Sequence, residues 1–475
     1  MRLRFGFMIC FGAILMLSLQ KKLDMRVHFI AIGGSAMHNL AIALHRKGDV
    51  VSGSDDEIFE PSKSRLAACG LLPPEIGWFP EKITPDLDAI ILGMHARADN
   101  PELIAAQKLG LKIYSYPEYL YEQSKTKKRI VIGGSHGKTT ITSMILHILK
   151  YAGIEADYMV GAQLDGFDVM VRLSNGAEWM IMEGDEYLTS PLDRRPKFLH
   201  YRPHIALISG IGWDHVNVFP KFDMYLDQFR QFIRAIELGG SLIYNADDDE
   251  VVRLAQEASC HKIPYSIHPF SLENGDVFLQ TPDGQAVKLQ IFGRHNLTNI
   301  SAALAVTNVM GVSSLQAYKA LTDFKGASRR LELVLNSHGL AVYRDFAHAP
   351  SKVKASCEAM RQKYPDHQLI ACFEPHTFSS LNSGFIGQYR DALEKADIAV
   401  VFYDPHAVEL KKLTFMDADT IREAFNHPHM VIVSDTSGLI EVLKRECRLP
   451  SAIVMMSSGS FGGLDIRQMA EEILQ

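Results

Sequence analysis

The stretch Arg129-Ile-Val-Ile-Gly-Gly-Ser-His-Gly-Lys-Thr-Thr-Ile-Thr-Ser-Met144 restricts the fold more than any other part of the chain. A β-branched run at 130–132 meets a glycine-rich turn, and a helix-competent segment at 141–150 follows. Gly133, Gly134 and Gly137 let the backbone bend tightly, so that N–H groups of the turn and of the new helix converge on one point. Such a turn suits a polyphosphate. Gly134, Ser135, His136, Gly137, Lys138, Thr139 and Thr140 form the cradle, with Lys138 a point charge for the β- and γ-phosphates and the Thr139 hydroxyl a ligand for Mg²⁺. The strict pattern G-x-x-x-x-G-K-[ST] needs glycine at 132, where this chain has Ile132. The plain alternative is a strand–turn–helix with a surface lysine. The order of strand, glycines, Gly-Lys-Thr and helix argues instead for a nucleotide-phosphate site in an α/β fold.

Composition bounds the rest. A chain of 475 residues makes two to four domains, each able to bury its own core. Its 47% apolar and 22% charged residues are those of a globular protein. A formal charge of −6 gives no broad basic surface, which argues against nucleic acid as the main partner. The six cysteines form no C-x-x-C pair, a usage that suits a reducing cytoplasm and offers no zinc-site spacing. Residues 5–19 are an apolar run between Arg2, Arg4 and Lys21, Lys22, short for a membrane span and without an A-x-A cleavage site. Either residues 1–24 come from an over-extended reading frame or they are a short tether; the first is favoured, because Met25 opens a strand directly.

Residues 25–126 read as a first domain. A strand at 27–32 runs into Gly33-Gly34-Ser35-Ala36-Met37 and a helix at 38–47, a degenerate G-x-G-x-x-G. A second strand at 49–53 precedes Asp55, at about the ribose-binding interval of a dinucleotide fold. The turn is either a nucleotide-diphosphate site or a tight βαβ turn and nothing more. A strand at 89–92 ends at Gly93-Met94-His95, and Pro101 opens a helix.

Residues 127–326 read as a central domain. A strand at 178–182 delivers Glu183-Gly-Asp-Glu-Tyr187 at its carboxyl end, where open α/β sheets gather ligands. One carboxylate beside phosphate oxygens is a natural Mg²⁺ site. A strand at 204–209 delivers Asp214-His215, where spacing alone makes His215 a strand-end histidine. A strand at 241–244 closes with Asn245-Ala-Asp-Asp-Asp249, whose charge reads as a solvated turn. His295, Asn296 and Asn299 lie about one helical turn apart, with Asn296 or Thr298 as a plain helix cap in the alternative. Residues 327–475 read as a last αβ alternation, with strands at 341–344, 368–373, 398–402, 430–433 and 452–456. Asp345 and His348, Glu374 and His376, and Asp404 and His406 follow successive strands, which suggests a site along one sheet edge.

Taken together these pieces resemble the Mur ligase family, ATP-dependent amide-forming enzymes of peptidoglycan assembly. The resemblance runs from Met25 onward and rests on Gly134-Ser-His-Gly-Lys-Thr139, Glu183-Gly-Asp-Glu186, Asp214-His215, His295-Asn296 with Asn299, Arg329-Arg330-Leu-Glu332 and Asp345-Phe-Ala-His348-Ala-Pro350. It implies three α/β domains: a Rossmann-like UDP-binding domain, a central P-loop ATPase-like domain and a Rossmann-like amino-substrate domain. It implies ATP and Mg²⁺ as cofactors, with Lys138 and the loop amides on the phosphates and Thr139, Glu183 and His215 at the metal ions. It also implies His295, Asn296 and Asn299 at adenine, Arg330 at the γ-phosphate and Asp345 at the ribose. Gly33, Gly34, Ser35, Ala36 and Met37 would take the UDP pyrophosphate, with Asp55 and His95 near that nucleotide. Gly184, Trp213 and Ala349 depart from the family pattern, and residues 226–237 hold no lysine that could be carbamylated.

Within the family the Gly-Gly-x-x-Met turn and the loop histidine are similar to the branch acting on UDP-N-acetylmuramic acid. There the amine is either L-alanine or the recovered tripeptide L-alanyl-γ-D-glutamyl-meso-diaminopimelate. The segment from Glu186-Tyr187 to Lys197-Phe-Leu-His200-Tyr201, with Phe373-Glu374-Pro375, is similar to the tripeptide enzymes, so the tripeptide is the expected amine and L-alanine the alternative. The implied chemistry is phosphorylation of the lactyl carboxylate followed by amine attack on the acyl phosphate, with His348 the candidate base and a hinge near 325–328. Two other classes stay open at this point: a P-loop ATPase without ligase chemistry, and a dinucleotide-binding protein built on Gly33 and Asp55.

Overall fold

The computed structural model describes residues 25–94, 96–164, 167, 169–190, 193–213 and 218–475. His95, Asp214, His215 and the extension 1–24 lie outside them, and with them the expectations placed there. The chain packs as two compact units, one running to Val131 and adding Glu155–His204, the other holding Ile132–Ile154 and Ile205–Gln475.

In the first unit, β1 (Arg26–Ile30), β2 (Val50–Ser54), β3 (Ala89–Leu92) and β4 (Ile113–Ser115) make a parallel sheet in the order β2-β1-β3-β4. Between β1 and β2 runs α1 (Ser35–Lys47), which Gly48 ends in the left-handed conformation, φ 111°, that a glycine C-cap supplies. The remaining helices are α2 (Ser62–Ala68), α3 (Pro101–Lys108) and α4 (Tyr116–Ser124). Asn100 caps α3 by accepting from the Glu102 and Leu103 N–H groups, with Pro101 in the first turn as its sequence predicts. Ser115 and Glu118 close a capping box on α4.

The boundary between the units falls inside β5 (Lys128–Gly133), a strand buried from Arg129 onward. At its start, in the first unit, the Lys128 N–H donates to Glu178 O (2.9 Å) and the His204 N–H donates to Arg129 O (2.9 Å). The same unit holds β6 (Ala156–Met159), β7 (Val171–Arg172) and β8 (Trp179–Glu183) in the order β8-β6-β7, β8 parallel to β6. Two of its buried acids have basic partners: Lys127 Nζ lies 2.7 Å from Asp157, and His28 Nε2 lies 3.2 Å from Glu102.

The second unit begins with the end of β5 and α5 (Lys138–Ala152), and the Ser209 N–H donates to Gly133 O (3.1 Å). The strands β9 (Ile205–Ile208), β10 (Ser241–Asn245) and β11 (His261–Tyr265) run parallel in the order β11-β10-β9. The helices here are α6 (Phe222–Arg234), α7 (Asp249–Glu257), α8 (Arg294–Val309) and α9 (Ser314–Leu321). A small antiparallel sheet of β12 (Phe270–Glu273), β13 (Asp276–Gln280) and β14 (Ala286–Lys288) was not expected from sequence, where its short alternations are masked by charged turns.

The last sheet has the order β15-β16-β20-β17-β18-β19, with β15 (Glu332–Ser337), β16 (Leu340–Asp345), β17 (Gln368–Glu374), β18 (Ile398–Phe402), β19 (Met430–Val433) and β20 (Ser451–Ser457). All neighbours are parallel except β15 with β16. Its helices are α10 (Pro350–Lys363), α11 (Pro405–Leu410), α12 (Ala418–Phe425), α13 (Thr436–Glu446) and α14 (Ile466–Ile473). Val342, Ile370, Cys372, Val400, Ile453 and Met455 pack one core under it. Buried apolar runs made β16, β17, β18 and β20 legible in sequence, and the apolar run of the half-buried β19 did the same for it.

Candidate active site

The glycine turn between β5 and α5 is built as its sequence demands. Gly134 (φ 125°) and Gly137 (φ 74°) occupy backbone space that side-chain-bearing residues avoid. Gly137 is the N-cap of α5, no side chain caps that end, and no acid stands in its first turn. The start of α5 therefore presents the positive end of the helix dipole, a terminus of the kind that suits an anion. Ile132 is 0% exposed, so the position where the strict pattern has glycine is strand core here. The turn is braced from behind. Ser135 Oγ lies 2.7 Å from Tyr225 Oη on α6 and accepts the Gly212 N–H at 3.0 Å, while the Ser135 N–H donates to Gly210 O. Lys138 Nζ donates to Gly134 O at 2.8 Å, folding the ammonium over the loop it would share with phosphate. His136 Nε2 lies 3.2 Å from Ser351 Oγ at the start of α10.

Asp248 corrects the expectation of a solvated acidic turn after β10. Its carboxylate accepts from the Ile211 N–H (2.9 Å) and from Val251 N–H (3.0 Å), capping α7 and tying the exit loop of β9. No sequence signal separated it from Asp247 and Asp249.

The residues expected around adenosine fall in two places. Asn296 and Arg330 line a cavity of about 270 Å³ together with Phe292, Lys325, Tyr343 and Tyr364. Asn299 instead packs against the phosphate turn, where a Cβ on Gly137 would strike its amide oxygen. Asn296 does not cap α8: its Nδ2 donates to Phe292 O at 2.8 Å, Thr298 bonds back to Arg294 O, and Gly293 is the N-cap with no side-chain bond. Arg330 lies with its guanidinium 4.5 Å from the Phe346 ring centroid. Its neighbours Arg329 (φ 55°) and Leu331 (φ 45°) both hold left-handed backbone, local strain of the kind that clusters at ligand sites. Asp345 is buried and accepts from the Leu331 N–H (3.3 Å) and from Ser356 Oγ, so it fastens this strained segment to α10.

His295 is half-buried, with its Nδ1 enclosed and without a hydrogen-bond partner among the described residues. Burial lowers its pKa from the usual value, against the opposing pull of Asp345. Burial also lowers those of His38 and His268. The unfolded chain takes up protons below about pH 6.5 that these folded imidazoles refuse. Stability is therefore expected to fall as pH drops below about 6.5, and His295→Gln should make that fall shallower in urea titrations run at several pH values. An unchanged slope would show that His295 takes no part.

In the first unit, Glu183 ends β8 nearly fully buried, and Gly161 makes room for it: a Cβ there would lie 2.7 Å from Glu183 Oε2. Asp185 accepts from Lys197 Nζ at 3.4 Å, and Lys197 also sits 4.2 Å from the Tyr187 ring centroid. Burial, then the Asp185 and Glu183 charges, push the Tyr116 hydroxyl well above its usual pKa. Farther along, Asp193 lies within reach of His200 and Glu118. Arg195 holds Asp193 at 2.7 Å and reaches Glu118 at 3.6 Å, so a guanidinium already neutralises this acidic group. At the Gly33–Met37 turn, Asp55 Oδ2 accepts the Gly33 N–H at 2.6 Å; it braces the turn, and burial raises its pKa against that bond. Gly34, Ser35, Ala36 and Met37 form the start of α1, whose Gly34 N-cap carries no side-chain bond.

On the last sheet, His348 Nδ1 donates to Phe346 O (2.9 Å), leaving Nε2 as the lone-pair nitrogen, 3.5 Å from Lys352 Nζ.

The groups expected to serve Mg²⁺, the Thr139 hydroxyl and the Glu183 carboxylate, are each hard oxygen donors of the type that ion prefers. Three family models match the chain: the Mur ligase family catalytic domain over residues 26–128, the Mur ligase middle domain over 132–307, and the Mur ligase glutamate ligase domain over 329–459. A UDP-N-acetylmuramate–L-alanine ligase of Arthrobacter sp. (strain FB24) is 33% identical over 387 residues, 79% of this chain and 80% of that protein. The crystal structure of a murein peptide ligase from Psychrobacter arcticus 273-4 matches with TM-score 0.64 and 25% identity, over 95% of this chain and 99% of that one. That of the UDP-N-acetylmuramate:L-alanyl-γ-D-glutamyl-meso-diaminopimelate ligase from Neisseria meningitides matches with TM-score 0.56 and 28% identity, over 64% of this chain and all (100%) of that one. With these matches the bare-ATPase and dinucleotide-binding readings give way, and the chain belongs to the Mur ligase family of ATP-dependent amide ligases.

Proposed function

We propose that this enzyme activates the lactyl carboxylate of UDP-N-acetylmuramic acid with ATP and joins it to the amine of L-alanyl-γ-D-glutamyl-meso-diaminopimelate. A carboxylate is a poor acyl donor, having no leaving group for an amine to displace, so its oxygen first attacks the γ-phosphorus and ADP leaves. The peptide amine then adds to the acyl phosphate carbonyl, loses a proton, and phosphate departs. In this reading the α5 N–H groups and Lys138 hold the phosphates, Arg330 neutralises charge on the γ-phosphoryl group, and Asn296 faces the base. Thr139 and Glu183, with His215, would hold Mg²⁺, which supplies charge neutralisation when bound. The turn at Gly33, backed by Asp55, would take the UDP diphosphate. The cytoplasm, where ATP and nucleotide sugars meet, is the proposed compartment.

The observation that supports the phosphate chemistry is the uncapped α5 N-terminus behind Gly137, with Lys138 folded over the loop. For the amine, the named relatives support L-alanine better: the match carrying that name reaches 33% identity, against 25% and 28% for the two solved peptide ligases. Overall identity is set mainly by the scaffold and the nucleotide sites, whereas amine choice rests on few residues. The tripeptide reading is kept for the segment from Glu186-Tyr187 to His200-Tyr201 and for Phe373-Glu374-Pro375, which are similar to the tripeptide enzymes. Phosphate release from ATP with UDP-N-acetylmuramic acid, compared between tripeptide and L-alanine, decides the matter. Release with tripeptide alone is expected; release with alanine alone moves the enzyme to the second reading, and release indifferent to both removes the ligase reading.

A further inference from the structure

In the last sheet, the chain steps outward from β16 to β17, β18 and β19, then returns to place β20 between β16 and β17. The connection from β17 leaves toward β18. That from β20 leads to α14 on the β15 side, where Arg467 Nη2 donates to Val334 O at 2.8 Å. Neighbouring strands whose connections diverge open a crevice at their carboxyl ends, the place where α/β sheets bind ligands. Glu374 on β17 pairs in register with Ser457 on β20 at that point.

Glu374 is 2% exposed. Its Oε2 accepts from the Ser457 hydroxyl and from the Phe461 N–H at 2.9 Å, which fixes the carboxylate's orientation. The loop after β20 packs closely against it, as only glycine allows: a Cβ on Gly459 would lie 2.8 Å from Glu374 Oε2 and 2.7 Å from His376 Cδ2. Close by in sequence, the buried Ser458 Oγ has no hydrogen-bond partner among the described residues. The buried carboxylates of Asp157 and Glu102 each have a basic partner, Lys127 and His28. For Glu374 no ion pair is found among the described residues, although a buried charge without one is costly.

We infer that Glu374 is the receptor for a non-reacting ammonium group of the amine substrate, the side-chain ammonium of a diamino acid at the far end of the peptide. The reacting amine is a poor candidate for this contact. A fixed carboxylate favours the protonated form of a neighbouring amine, and the protonated form cannot attack an acyl phosphate. A distal ammonium loses nothing by staying charged and gains a charge-assisted hydrogen bond. This inference rests on the tripeptide reading and makes Glu374 a determinant of amine specificity.

The test uses the full-length enzyme, ATP, UDP-N-acetylmuramic acid and two peptides: the tripeptide and the same peptide ending in 2-aminopimelate, which lacks the distal amine. Glu374→Gln keeps an oxygen to accept from Ser457 and Phe461 and removes the charge. It is expected to raise KM for the tripeptide about 10- to 100-fold, with KM for ATP and for the muramyl nucleotide unchanged. The deaminated peptide should show the same rise with the wild-type enzyme and no further rise with Glu374→Gln. Wild-type turnover of tripeptide with KM unaltered in the variant would overturn this inference alone, as would equal losses for both peptides. Wild-type turnover with L-alanine and none with tripeptide would overturn the tripeptide reading and remove the ligand from Glu374 with it.

Discussion

Lys138→Ala is expected to lower ADP release by about 10²–10³-fold, with unfolding free energy changed by about 1 kcal/mol or less. The side chain donates to Gly134 O at 2.8 Å, within its own loop, and losing that local bond costs the fold little. Its charge matters when the γ-phosphoryl group moves. An ammonium held among backbone N–H groups stabilises negative charge on the transferring oxygens without reorganisation, and water entering in its place does not. Steady-state kinetics with saturating substrates, paired with a urea titration, separate the two effects. A Lys138→Ala enzyme within tenfold of wild type would mean that the loop binds something other than the transferring phosphate.

The second large effect is conformational. Gly134→Ala is expected to destabilise the second unit by about 2–5 kcal/mol and to abolish measurable turnover. Gly134 has φ 125°, outside the range of L side chains, and a Cβ there would strike Ser209 Oγ and lie 2.9 Å from Ser209 N. Ser209 cannot yield, because its N–H and its hydroxyl both bond back to Gly133 O. The methyl group therefore has to push β9 away from the end of β5 or reshape the phosphate turn. Chemical denaturation followed by tryptophan fluorescence would read the loss. A stable Gly134→Ala protein with intact turnover would show that the turn tolerates another backbone path.

The agreement between sequence and structure is uneven, and the reason lies in which interactions are local. β5 and the start of α5 were legible because a buried β-branched run, two glycines and Gly-Lys-Thr each dictate their own backbone. The same holds for the Asn100–Pro101 helix start and the five parallel strands of the last sheet. The departures involve polar residues whose role depends on a partner far along the chain. Asp248 reads as one of three acids in a turn, yet it holds Ile211, 37 residues away. Asn296 and Asn299, three residues apart, serve a cavity wall and the phosphate turn respectively. Asp345 accepts from the Leu331 N–H and the Ser356 hydroxyl, 14 and 11 residues away, bonds that its spacing does not announce.

From sequence alone, then, come the α/β class, the phosphate turn with its lysine, and the order of motifs that marks the family. These rest on backbone rules and on short-range spacing, which one chain displays without an alignment. Tertiary structure alone decided how the buried polar groups are distributed. Among the described residues it pairs Asp157 with Lys127, leaves His295 Nδ1 without a hydrogen bond, and sets Glu374 at the switch point between β17 and β20 without an ion pair. Whether a carboxylate is solvated, paired or held ready for a ligand depends on the desolvation it suffers, and that is fixed by the elements that close around it.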